Sequence, residues 1–280
     1  MSLSASERRA QLRSLYGFDF PDDLFRFWEF VNRLQPLDPL GALWGPLEIR
    51  LVGPFEVLSG RFDRHTPRLS PLLHWRYYLD PPEFFTVLAS DDARHWGYFL
   101  DDPGTGGGCV ADYYPLDCFG FTDDGDTLFE ALRLELEYNC NYLEHCPEEG
   151  TESAAENEEE AHRTNALRKA IQRYATADRG EVGEAYVDQY PGRGRRWRSV
   201  VADTADGMGI VVPPETYRPL SLPDKKLRSL LYKQDDPTAM VEEARQAVRD
   251  GFPATALKLG KELWPLHGER RTAYAYELLD

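Results

Sequence analysis

Residues 147–160, PEEGTESAAENEEE, carry seven glutamates and no large apolar side chain. Such a stretch cannot bury enough surface to offset the entropy of ordering it, so it reads as a linker or solvated loop. Any core must therefore be built from the sequence on either side. The expected organisation is an N-terminal α+β domain over 1–146, an acidic connection over 147–162, and a C-terminal domain over 163–280. A chain of 280 residues can bury one large core or two smaller ones.

On the N-terminal side, Ser4 or Ser6 can cap a first helix running to about Leu15, with Gly17 ending it. In YGFDFPDDLFRFWEFVNRL, Pro21 stands near the first helical position, and Asp22 and Asp23 suit the positive end of the helix dipole. Leu24, Phe27, Trp28 and Val31 recur there at helical spacing. LEIRLVGPFEVLSG reads as a strand followed by a turn at Gly53-Pro54. LHWRYYLDPPEFFTVL (73–88) and HWGYFLDD (95–102) supply two or three further strands. PGTGGGCVAD (103–112) is glycine-rich but lacks the Gly-Lys-Ser/Thr ending of a phosphate-binding loop, and it reads as a surface loop. DGDTLFEALRLELEYNCNYL is a helix capped by Asp126 or Thr127, with Leu128, Ala131, Leu132 and Leu136 on one stripe.

Beyond the acidic run, HRTNALRKAIQRYATA reads as a helix, and VGEAYVDQYPGRGRRWRSVVADTADGMGIVVPP as a strand, the basic turn RGRRWR (193–198), a second strand, a glycine turn and the buried strand GIVVPP. The chain finishes with the helical segments PDKKLRSLLYKQ, DPTAMVEEARQAVRDG, FPATALKLGKELW and ERRTAYAYELLD. The fold class is α+β: a mixed antiparallel sheet with N-terminal helices, then a smaller sheet-plus-helices region.

A net charge of −16 argues against nucleic acid, whose phosphates require a basic face, and suits a partner bearing a basic patch. The N-terminus has no apolar signal region and no stretch reaches the apolar length of a bilayer span, so no membrane role and a cytoplasmic location are expected. Cys109, Cys118, Cys140 and Cys146 lack the paired spacing of a zinc site, so no metal is expected and the thiols read as reduced. The six histidines are scattered, and no nucleophile-histidine-acid motif can be picked out. The motifs do not support a free-standing enzyme.

The best candidate for chemistry is Asp250. Asp236 can cap a helix with Pro237 at its first position, and Gly251 can end it in the left-handed conformation before Pro253 starts the next. Asp250 is then left at a helix C-terminus, where the dipole disfavours a negative charge, while Arg249 beside it favours that charge. A carboxylate at an exposed helix corner can serve as general base to a substrate hydroxyl within hydrogen-bond reach. The competing reading is ordinary Asp-Gly turn chemistry. Arg76 can pair with Asp80 or Glu83, or fix a carboxylate or phosphate bidentately. Trp75, Tyr77 and Tyr78 read as sheet core, with Trp75 and Tyr78 as candidate contacts. Arg228, in the helix PDKKLRSLLYKQ, is a further candidate for binding.

FDFPDDLFRFWEF, LVGPFEVLSG, LHWRYYLDPPEF, GYFLDDP and GIVVPPETYRPL occur in this order, and together they resemble the histone PARylation factor family of accessory factors to poly(ADP-ribose) polymerases. The resemblance implies an α+β protein without catalysis of its own. It docks on an ADP-ribosyltransferase, which holds the NAD, and lends an acidic residue that deprotonates an acceptor serine of the protein substrate; no cofactor is bound tightly by the factor itself. Placed on AVRDGFPATALKLGKELW, the family's acidic tip falls on Asp250. The family has a glutamate there, one methylene longer, and an acid where this chain has Arg249. A narrower likeness, over residues 10–35 (LYGFDFPDDLFRFWEF), is to the entry motif of the SUKH superfamily of immunity proteins, which implies instead a protein that binds and neutralises a toxin.

Overall fold

The computed structural model describes residues 3–64, 68–77, 80–104, 107–115, 120–145, 154–175, 181–189, 195–222 and 236–264. The fold is α+β, with a five-stranded sheet and a separate two-stranded one. The chain divides into two compact units, each discontinuous in sequence: residues 1–76, 83–112 and 123–194, and residues 77–82, 113–122 and 195–280.

In the first unit, helix α1 (Ala5–Tyr16) starts at Ser4, which shares a reciprocal capping box with Glu7, and stops at Gly17, whose φ of +85° is left-handed. Helix α2 (Asp22–Leu34) buries Leu24, Phe27, Phe30 and Val31, and Trp28, half-buried, packs against the same core and stacks on Phe55. The short helix α3 (Trp44–Leu47) leads into strand β1 (Ile49–Leu51). The expected turn after it is helix α4 (Pro54–Leu58), because Pro54 fits a first helical position and Glu56 closes back on the Gly53 amide at 3.2 Å. Gly53 has to be glycine, since a Cβ there would lie 2.8 Å from the Thr86 carbonyl oxygen.

Two further short helices, α5 (Arg61–Arg64) and α6 (Pro71–His74), precede the sheet's second strand. Of the expected strand stretch LHWRYYLDPPEFFTVL, Phe84 onwards is strand, whereas Leu73 and His74 end helix α6. Strand β2 (Phe84–Ser90) begins only after Asp80-Pro81-Pro82, where two prolines remove the amides a ladder needs. The sheet runs in sequence order through β2, β3 (His95–Asp102), β4 (Gly107–Tyr113) and β5 (Thr122–Gly125), with β1–β2 and β2–β3 antiparallel. The glycine-rich surface loop is thus a strand over most of its length, because Cys109, Val110 and Ala111 are an apolar run with a place to be buried. Val87, Leu88, Trp96, Tyr98, Leu100 and Val110 meet the helices in one aromatic-rich core.

Helix α7 (Leu128–His145) is capped by Thr127, which accepts from the Glu130 amide at 3.2 Å. The acidic run is helical from its eighth residue, at the start of helix α8 (Ala154–Gln172). Leu167 and Ile171 of α8 enter the first unit's core and Tyr174 stacks on Phe129, so this helix joins the unit that precedes it in sequence. Residues 184–189, expected as strand, are helix α9 (Glu184–Gln189). The junction is electrostatic. Glu137 is fully buried and receives the guanidinium of Arg133 at 2.9 Å, that of Arg168 at 2.6 Å and the Gly183 amide at 2.6 Å.

In the second unit, the basic turn is a 3-10 helix over Arg195–Ser199, in which Arg196 is buried and donates to the carbonyls of Met208 and Gly209. It leads into the two-stranded sheet of β6 (Val200–Ala202) and β7 (Ile210–Val211). Helices α10 (Thr238–Arg249) and α11 (Pro253–Leu263) pack around Met240, Val241, Ala244, Ala256, Leu259 and Leu263. The indole Nε1 of Trp264 donates to the Asp80 carbonyl at 3.2 Å, which ties the Asp-Pro-Pro segment to the end of α11. Among the described residues, no helix is long and apolar enough to cross a membrane, and no group of three His, Cys, Asp or Glu could hold a metal ion.

Truncating Glu137 to Ala leaves the buried Arg133 and the partly buried Arg168 without their shared counter-charge. The expected loss is about 3–5 kcal/mol of unfolding free energy, read from urea denaturation. Replacing Arg133, Glu137 and Arg168 together by Met, Leu and Met should recover most of it.

Candidate functional site

The corner between α10 and α11 is closed by a Schellman arrangement: the Phe252 amide donates to the Ala247 carbonyl at 2.8 Å and the Gly251 amide to that of Val248 at 3.1 Å. Gly251 has a φ of +88° with open space where a Cβ would stand, so conformation and not crowding calls for glycine. Asp250 is the residue at the helix end, with its side chain 44% exposed. At the other end of α10, Asp236 caps by accepting from the Thr238 amide at 3.0 Å, and Pro237 sits one position earlier than expected.

One carboxamide orients the tip. Gln246, one turn before Asp250, donates from Nε2 to Asp250 Oδ1 at 2.7 Å and accepts the Arg249 guanidinium on Oε1 at 2.7 Å. Arg249 is thus tied to Gln246 and does not close onto its neighbour's carboxylate. The cation that does face Asp250 is Arg218, whose Nη2 lies 3.9 Å from Asp250 Oδ2. Arg218 is fixed in turn. Its Nη1 donates to Glu243 Oε1 at 2.8 Å, its amide donates to Thr255 Oγ1 at 3.0 Å, and its carbonyl accepts from the same hydroxyl at 2.8 Å. Burial raises the Glu243 carboxyl, but bonds from the Ser221 amide and Arg218 outweigh this and hold it below its usual range.

Arg218 and Gln246 were missed in the sequence reading. Gln246 had a signal, since glutamine and aspartate four apart on a helix face each other. Arg218 had a weaker one, a cation within the apolar and proline-rich GIVVPPETYRPL. Of the residues singled out, Asp250 and Arg249 share the tip in the second unit. Trp75 and Arg76 belong to the first unit. Trp75 Nε1 donates to the buried Glu56 carboxylate at 2.5 Å, and Arg76 donates to the Phe84 carbonyl at 3.1 Å with its guanidinium 5.9 Å from the Phe85 ring centre. Those contacts brace the entry to β2. Tyr78 and Arg228 lie outside the described residues.

A family model described as Histone PARylation factor 1 matches residues 7–252. The chain belongs to this family. Histone PARylation factor 1 of Bos taurus is 30% identical over 237 residues, which cover 79% of this chain and 62% of the relative. The Danio rerio protein of the same name is 31% identical over 230 residues, covering 80% and 62%. That of Mus musculus reaches 39% identity over a shorter stretch of 90 residues, 31% of this chain and 26% of the relative. The chain thus spans about three-fifths of the length of the first two relatives and about a quarter of the third. The family match contains the whole of residues 10–35, on which the likeness to immunity proteins rested.

Because folding lowers the affinity of Glu243 for its proton, its contribution to stability is present above the ordinary glutamate range and fades as the pH falls through and below it. Glu243→Gln should therefore destabilise the protein at neutral pH, and the gap to the parent chain should close on acidification. Urea midpoints measured at neutral and at acid pH test this.

Proposed function

We propose that this chain is an accessory factor that docks on an ADP-ribosyltransferase and lends Asp250 as the general base for transfer to serine. Family membership supports the accessory role. The observation that carries the base assignment is the geometry of the α10–α11 corner: a half-exposed carboxylate, oriented through Oδ1 by Gln246, whose Oδ2 faces Arg218 at 3.9 Å without a hydrogen bond.

In the proposed step, the acceptor serine's proton passes to the free oxygen of Asp250. The serine oxygen then bonds to the anomeric ribose carbon of NAD held by the transferase, and nicotinamide leaves. A hydroxyl is a weak nucleophile until a positioned base takes its proton, so a factor with no NAD site of its own can still decide which side chain is modified. Arg218 approaches Oδ2 only to 3.9 Å, beyond hydrogen-bond reach, which leaves that oxygen accessible to the acceptor hydroxyl. The factor is then no enzyme in isolation, and its partners are the transferase and that enzyme's protein substrate.

The test is a poly(ADP-ribose) polymerase incubated with labelled NAD and a serine-containing acceptor peptide, with acceptor sites assigned by mass spectrometry. Adding the parent chain should direct modification to serine. Asp250→Asn should reduce serine transfer by about 10²- to 10⁴-fold, the range of a general base, while co-sedimentation with the polymerase is unchanged. Asp250→Glu should retain transfer. Serine transfer undiminished by Asp250→Asn would remove the base assignment and leave only docking.

A further inference from the structure

The first unit holds a cleft of about 450 Å³ that the proposed chemistry does not use. Its floor is apolar, made by the buried side chains of Leu47, Trp96 and Leu136. Four carboxylates and a single guanidinium line it: Glu48, Asp91, Asp92 and Glu135 against Arg94. Arg94 offsets only part of the rim, because its guanidinium is shared between Glu135 and Asp112, which does not line the cleft, and is not paired with Glu48, Asp91 or Asp92. Its Nε donates to Asp112 at 2.6 Å, its Nη1 to Glu135 at 2.7 Å, and the guanidinium lies 4.6 Å from the centre of the Trp96 ring. Asp92 spends Oδ1 on the Ser90 hydroxyl and the Arg94 amide. The carboxylates of Glu48 and Asp91 have no hydrogen bond or ion pair among the described residues. Among the described residues, Glu48, which lines the cleft, has a left-handed φ of +55°, and Ala93, between the lining residues Asp92 and Arg94, has one of +73°.

We infer that this cleft receives a basic side chain, arginine or lysine, presented by a peptide segment of a partner protein. The complementarity has two parts. A long cationic side chain pairs an aliphatic stem with a charged head, and the cleft pairs an apolar floor with an anionic mouth, so stem and head are matched together. A concave site walled by low-dielectric side chains also concentrates the field of its carboxylates, which favours cations over the neutral segments of a partner. The volume accommodates such a side chain with part of its backbone. The site lies wholly in the first unit and does not depend on the role of Asp250.

The probes are blocked pentapeptides with a central arginine, lysine or citrulline between glycines, titrated by calorimetry at low and at physiological salt. The arginine and lysine peptides should bind, more weakly as salt rises, and the citrulline peptide, which keeps the shape without the charge, should not. Cys140 lines the cleft, so bound peptide should slow its alkylation by iodoacetamide, mapped by mass spectrometry. Neutralising the rim with Glu48→Gln, Asp91→Asn and Asp92→Asn together should weaken binding about tenfold. The same change in net charge made elsewhere, with Glu29→Gln, Glu184→Gln and Glu215→Gln, should leave it intact. Binding that the distant variant weakens equally, or that leaves Cys140 unprotected, is adsorption to an acidic surface and overturns the proposal, as does equal binding of the citrulline peptide or no binding of any. Asp250→Asn should bind these peptides as the parent does, so failure here and failure of the base assignment are separate results.

Discussion

A carboxylate with no exposure to water, held between two guanidiniums, sets the path of the chain after the long helix α7. Glu137 cannot be solvated where it lies, so Arg133 from its own helix, Arg168 from α8 and the Gly183 amide must all arrive together. The desolvation of such a group is several kcal/mol, and its partners do little more than offset that cost. What the arrangement gains is uniqueness: α8 docked in another register would strand a buried charge, whereas a purely apolar contact through Leu167 and Ile171 would tolerate a shift. The highly acidic start of α8 is then free to be as polar as it is, because the anchoring is done near the helix's far end.

The second unit uses buried polar groups in the same way on a smaller scale. Lys261 is 3% exposed and pairs with Asp206 at 3.0 Å, while Asp206 also accepts from the Met208 amide at 2.9 Å. Lys258 bridges Glu262 and the Asp203 carbonyl, and Glu262 in turn accepts from the Ala205 amide. These contacts fix one face of α11 to the loop between β6 and β7. Thr255, fully buried near the start of the same helix, exchanges two hydrogen bonds with the main chain of Arg218. The hairpin's tip is thus held from its own side by Gln246 and from the neighbouring segment by Arg218. Its catalytic candidate sits on rigid elements, which suits a group whose usefulness depends on tenths of an ångström.

The sequence was most legible where a local rule carried the outcome. The Ser4 and Thr127 caps, the stop at Gly17, the left-handed Gly251 and the exposed Asp250 all follow from residue type and immediate neighbours. It was least legible where a tertiary partner decided. GGCVADY lies in the sheet although its glycines argue for a loop, because the neighbouring strand supplies the pairing. Residues 154–160 are helical although the sequence gives them no large apolar side chain, because Leu167 and Ile171 further along the same helix reach a core. HWRYYLD has the composition of a strand, yet Trp75 turns to a buried glutamate nineteen positions earlier and the prolines that follow withhold their amides. Arg196 reads as part of a solvated basic island and is an internal donor to two carbonyls, a role visible only once the loop that supplies them is in place.

In the role proposed for it, Asp250 is easier to understand in this setting than in isolation. A glutamate at the end of a helix has an extra torsion, and more of its positions must be given up before one is productive. An aspartate starts closer to a single geometry, and the bond from Gln246 to Oδ1 removes most of what freedom remains. It loses reach by one methylene and gains order, so in the proposed mechanism the acceptor hydroxyl has to come closer to it. Arg249, fixed by the same carboxamide and exposed beside the base, then presents a positive charge to whatever flanks that hydroxyl. A glutamate with an acidic neighbour would instead draw a basic flank towards the acceptor.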